Sequence, residues 1–144
     1  MRTFEKIILH CTATPPDMYV DVETIRRWHK ARGWSDCGYH YVIHRDGKIE
    51  NGRPVTRTGA HTRKQNECSV GIAYVGGVND NNEPEDNMTM MQEISFLLLV
   101  RSLRVTFGPM TIHGHNEFAA KACPSFVARE KFKFLTLEDH GVPD

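Results

Sequence analysis

Apolar positions along the chain fall into short buried runs and longer helical stripes. Residues 5–12 (EKIILHCT) hold an apolar centre, Ile7-Ile8-Leu9, that runs into a polar end at His10, the pattern of a buried strand. Residues 39–45 (YHYVIHR) read as a second strand. Asp46-Gly47 is a hairpin turn signal, with the return over residues 48–51. Residues 69–75 (SVGIAYV) predict another buried strand and residues 111–113 a short one. Two stretches follow a three-four rhythm. Asp21 is placed to cap a helix with Val22, Ile25, Trp28 and His29 on one side, ending near Gly33. Thr89 caps a longer one in which Met91, Ile94, Leu97, Leu98, Arg101 and Val105 recur, stopped by Gly108-Pro109. Pro124 suits the first turn of a last helix, and residues 141–144 read as a tail. Residues 52–66 are polar and irregular, expected to loop over one sheet edge. The order predicts an α/β fold in one domain, residues 1–144: a central mixed β-sheet flanked by helices.

The 144 residues, 40% apolar and 25% charged, match an ordinary globular domain and argue against disorder. Lys plus Arg and Asp plus Glu are both 18. A nucleic-acid-gripping protein shows a basic excess, so no nucleic-acid partner is expected; the basic stretch at residues 25–32 reads as a solvated helix face. The start carries Arg2, Glu5 and Lys6 with no long apolar run, so no secretory signal is read. The longest apolar run, residues 96–100, is far too short to span a bilayer. Synthesis in the cytoplasm is expected. The four cysteines are read as reduced, and no CxxC pair suggests a zinc ribbon.

Eight histidines prompt a search for a metal. His10, His115 and Cys123 fall at predicted strand ends or loops, and one tight loop can bridge His115 to Cys123. Two imidazoles and a thiolate suit catalytic zinc, which takes three protein ligands and keeps a fourth position for water. By itself this is one of many triplets that eight histidines allow.

The runs IILHCTATPP, RRWHKARGWSDCGYHYVIHRDGKIENGR, SVGIAYVGG and HGHNEFAAKACPSF, in that order from about Phe4 to Phe126, resemble the zinc amidases of bacteriophage lysozymes and peptidoglycan recognition proteins. The likeness is greatest to the short phage lysozymes of the T-seven type. It implies Zn2+ held by His10, His115 and Cys123, with Tyr39 and Lys121 at the family's non-ligand catalytic positions. It also implies hydrolysis of the amide between N-acetylmuramic acid and L-alanine. Lys121 would then stabilise the carbonyl oxyanion, and Tyr39 would donate a hydrogen bond to it or orient the water. No HExxH is present, which leaves the proton acceptor open between Tyr39, Lys121 and the leaving amine. The chain departs from the commonest members in having Cys for Asp as third ligand, a choice the phage branch shares, and Ala120 where relatives can carry Pro. His113 is the rival to His115. The two are expected to face opposite ways, so that one reaches the ion, and alignment to Lys121 and Cys123 favours His115.

The resemblance further implies a peptidoglycan substrate, a phage or prophage lysis role with passage to the periplasmic wall through a holin, and a monomer without a separate wall-binding domain or membrane insertion. It raises a second role, inhibition of a phage RNA polymerase, and an alternative, binding peptidoglycan without cutting. Other residues carry bland expectations. Cys11 and Cys37 are small buried hydrophobes, and Cys68 needs no chemistry. His40 and His44 share a strand face, His40 as a core group beside Tyr39. His61, near Arg57 and Arg63, is surface filler, although its loop could meet the acidic stem peptide. Trp28 and Trp34 are helix-packing residues.

Overall fold

The apolar run at residues 7–9 forms the middle of β1 (Lys6–Cys11), flanked on both sides by parallel partners: β4 (Ser69–Tyr74) and β5 (Thr111–Gly114). A central parallel strand is covered on both faces, which is why these residues read as a continuous run rather than alternating. Beyond β4 lie β2 (Tyr41–Ile43), also parallel, and β3 (Ile49–Asn51), which returns antiparallel. The order β3-β2-β4-β1-β5 makes the mixed five-stranded sheet that the pattern predicts. This computed structural model describes residues 2–135.

The two faces are covered unequally. α2 (Met90–Phe107) lies over the face that carries Ile7, Leu9, Val70, Ile72, Tyr74 and Ile112, and Phe96, Val100 and Leu103 complete that core. α1 (Val22–Ala31) covers part of the other face, where Val22 and Ile25 meet Cys37, Val42 and Val75. Both caps read from sequence form. The Asp21 carboxylate accepts from Thr24 N at 2.8 Å, and Thr89 and Gln92 make a reciprocal capping box. Gly33 and Gly108, both at φ +91, end the two helices in the left-handed region.

Several expectations are corrected. On α2 the buried residues are Gln92, Phe96, Leu99, Val100 and Leu103, whereas Met91, Ile94, Leu98 and Val105 are exposed. The helix is apolar almost all round, so the rhythm fixed its period but not its phase. Buried Gln92 is a polar bolt: its amide donates to the carbonyls of Ile43 and Val75, tying α2 to the ends of β2 and β4. β2 is shorter than residues 39–45 because the backbone of Gly38 and Tyr39 pairs with Ala60 and Arg53 instead of a strand. Pro124 is not in a helical turn. Ser125, at φ +76, breaks the chain there, and α3 spans only Ala128–Lys131. The loop at residues 52–66 folds across a sheet face rather than an edge, and Arg2 staples it by donating to the carbonyls of Val55 and Ser69 at 2.9 Å. The expected tail at residues 141–144 lies outside the described residues. Among those described, no helix is long and apolar enough to cross a membrane.

Candidate metal centre and catalytic groove

Strand alternation places Ile8 and His10 on the face of β1 away from α2. His10 is 1% exposed. Its ring centroid lies 4.6 Å from that of His115 and 5.1 Å from that of Tyr39. His115 is the first residue of a single 3-10 turn that follows β5. Cys123 returns on the loop closed by Asn116, whose N–H donates to the Cys123 carbonyl at 2.8 Å and whose side chain donates to the carbonyl of Phe126 at 3.0 Å. The Cys11 N–H donates to Cys123 Sγ at 3.2 Å, aiming the sulfur at the end of β1.

The donor atoms of His10, His115 and Cys123 lie within 4.8 Å of one another, and Cys123 Sγ is 3.8 Å from His10 Nδ1. Tetrahedral zinc, with bonds of about 2.0–2.3 Å, holds its donors roughly 3.3–3.8 Å apart, so two nitrogens and a sulfur at these separations fit the ion with small adjustments. It is the one such cluster among the described residues. Burial, reinforced by His61, His115 and Lys121, holds the His10 pKa well below its usual value, and burial then Lys121 lowers that of His115. Both rings are therefore neutral near pH 7, the form that binds metal. A hydrogen bond with Cys11, then burial, raises the Cys123 thiol pKa. A dication reverses that preference, since a coordinating thiol is deprotonated.

Tyr39 lies on the connection before β2, its ring between those of His10 and His29. Burial raises its pKa, so the phenol stays protonated and is a hydrogen-bond donor. His29 Nδ1 accepts from Gly38 N at 2.8 Å and so braces the segment that carries Tyr39. Lys121 and Tyr39 line the same cavity of ≈ 220 Å³ as His115 and Cys123, together with Thr12, Arg32, Trp34 and Ala60. It adjoins a smaller hollow along α1 that reaches Trp28. A larger cavity of ≈ 430 Å³, lined by Tyr19, His44 and Lys48, holds none of these groups, so the chemistry belongs to the smaller one.

All five sequence-predicted site residues thus meet at one place. The neighbours bring corrections. Strand alternation gives His113 and His115 no reason to face opposite ways, and His115 already lies past β5 in the 3-10 turn. Residues two apart share a strand face, and His113 pairs beside Ile8, one step below His10. That register, with its bonds to Thr111 and Glu117, keeps His113 from the cluster. Glu117 is turned to His113 and to the N–H of Gly114. His61 is no surface filler: it is 8% exposed, and its Nδ1 sits 2.9 Å from His10 Nε2. The cations lining the cavity are Arg32 and Lys121, not Arg57 or Arg63. Trp34 and Trp28 are partly exposed, and the Trp34 ring packs at a tilt against His29, 4.6 Å between centroids. Cys11 and Cys37 are buried, as read. His61 sits in a segment without periodicity. The one available signal was Gly71 inside an apolar strand, which marks a close approach.

The family model for N-acetylmuramoyl-L-alanine amidase matches residues 1–126. An endolysin of Klebsiella phage KP32 is 41% identical over 139 residues, covering 94% of this chain and 91% of that protein. The endolysin of Escherichia phage T7 is 41% identical over 122 residues, covering 85% and 81%. Among solved structures, the N-acetylmuramoyl-L-alanine amidase LysC from Clostridium intestinale superposes with a TM-score of 0.79 at 28% identity, covering 92% of this chain and 87% of that one.

Proposed function

Since this chain belongs to the N-acetylmuramoyl-L-alanine amidase family, we propose that it cuts the muramoyl–alanine amide of peptidoglycan with one zinc ion held by His10, His115 and Cys123. It is a peptidoglycan-hydrolysing enzyme of the phage endolysin kind. The observation that carries the metal assignment is the convergence of two neutral imidazoles and one sulfur, from two segments of the chain far apart in sequence, within 4.8 Å.

Zinc bound there supplies a Lewis acid for the carbonyl and lowers the pKa of water towards about 7. The chain's own residues do the rest. Tyr39 donates a hydrogen bond to the carbonyl oxygen, a part that suits a phenol kept protonated by burial. The Lys121 ammonium offsets the negative charge that grows on the same oxygen. Water adds to the carbonyl carbon, the C–N bond breaks, and the alanine nitrogen leaves with the proton. Arg32 and Lys121, the cations lining the cavity, are the groups that can meet an acidic stem peptide there.

Purified protein is expected to carry one zinc per chain and to release stem peptides from purified sacculi, with release lost on chelation and restored by zinc. Release that survives complete metal removal would overturn the zinc reading. Zinc-loaded protein that holds sacculi and releases no peptide would favour binding without cutting.

A further inference from the structure

Behind His10 runs a chain of hydrogen bonds whose direction is fixed by its far end. The Gln65 carbonyl can only accept, so the Ser69 hydroxyl donates to it at 2.7 Å. With its one hydrogen committed, Ser69 Oγ accepts from His61 Nε2 at 3.4 Å. A neutral His61 with hydrogen on Nε2 has a bare Nδ1. That atom lies 2.9 Å from His10 Nε2, which therefore carries hydrogen. His10 Nδ1 is left with its lone pair, on the side of Cys123 Sγ. Thr62 Oγ1 joins the junction at 3.0 Å from His61 Nδ1 and 3.2 Å from His10 Nε2.

The ring of His61 is held from several directions. Asn66 Oδ1 accepts from the N–H groups of both His61 and Thr62 at 2.9 Å, closing the turn that carries the ring. A Cβ on Gly71 would come within 2.5 Å of the ring, and one on Gly59 within 2.7 Å. Both glycines leave the space that lets the imidazole lie against the sheet.

We infer that His61 is a positioning residue for the metal centre: by accepting the hydrogen of His10 Nε2 it locks His10 in the tautomer that presents Nδ1 to the ion. This rests on the reading of His10 as a zinc ligand. Outer partners of a ligating histidine shift metal affinity by about ten- to a hundredfold.

The test is a set of zinc dissociation constants, measured by chelator competition at one pH. His61→Leu is expected to weaken binding about ten- to a hundredfold. His61→Asn puts an amide oxygen where Nδ1 was and is expected to stay near the wild type, whereas His61→Gln places its oxygen near the Nε2 position and is expected to weaken like leucine. The Asn and Gln variants stay decisive if His61→Leu does not fold, since a merely structural role would not separate them by where the acceptor sits. Variants that all bind like the wild type, or Asn and Gln variants that weaken alike, would overturn the inference. A wild-type protein that binds no zinc would instead sink the metal assignment itself.

Discussion

On the side of β1 that carries Ile7 and Leu9, α2 lies across the sheet and the core is apolar apart from the Gln92 bolt. On the side that carries Ile8 and His10, α1 covers only part of the sheet, and the remainder meets a histidine-rich loop and a cavity. The same strand serves both. Its packed side is made by residues that substitute for one another as long as volume is kept. Its open side is made by groups that must each find a partner: His10 with His61, His40 with Gly71 N and the Arg57 carbonyl, and His29 with Gly38 N. Stability is expected to reside on the first side and chemistry on the second, and substitutions on each can test that division.

The sharpest test is Cys123→Ser. A hydroxyl is a poor zinc ligand, so zinc content and peptide release are both expected to fall to background while the metal-free protein melts near the wild-type midpoint. Full release by this variant would break the division at its centre. Lys121→Ala comes next. Zinc is expected to stay, and turnover to fall about a hundred- to a thousandfold, the usual cost of one oxyanion-stabilising donor. Unchanged turnover removes Lys121 from the chemistry.

The packed side and the open side were not equally legible in the sequence. The strands around Ile7-Ile8-Leu9 and residues 69–75, and the caps Asp21 and Thr89, announce themselves through local pattern, and the structure has them. The buried side of α2 did not, because a helix apolar in nearly every direction carries no phase. His10, His115 and Cys123 were singled out from many possible triplets by resemblance alone, since nothing local says that His10 meets residues more than a hundred positions away. His61 was hidden for a different reason. Its burial depends on a glycine ten residues later leaving room for a ring, a long-range fit that periodicity cannot express.

Leu103→Ala probes the packed side alone. Leu103 is 4% exposed within the α2 core. Its truncation is expected to cost about 2–5 kcal/mol of stability, read as a lower denaturant midpoint. Zinc affinity and turnover per folded molecule should not change, because Leu103 lies on α2 while the metal cluster is built from the end of β1 and the segment after β5. A matching loss of zinc affinity would show that the two sides are mechanically coupled.

The smallest expected effect is acid sensitivity, and it should belong to the open side. Burial, with Arg32 and Arg53 adding to it, lowers the His29 pKa to about 4, and burial lowers that of His40 to about 4. Folded-state values below the unfolded value of about 6.5 mean that the unfolded chain binds more protons between those limits. The contribution of each ring is therefore fully present above about pH 6.5 and is lost as pH falls towards 4. In metal-free protein, which removes ligand protonation by competition with zinc from the readout, the melting midpoint is expected to drop across that window. His40→Asn keeps an acceptor for Gly71 N without a titrating ring, so its midpoint should drop less between pH 7 and pH 4.5 than the wild type's. An identical drop would assign the acid sensitivity to other groups and leave His40 as packing only.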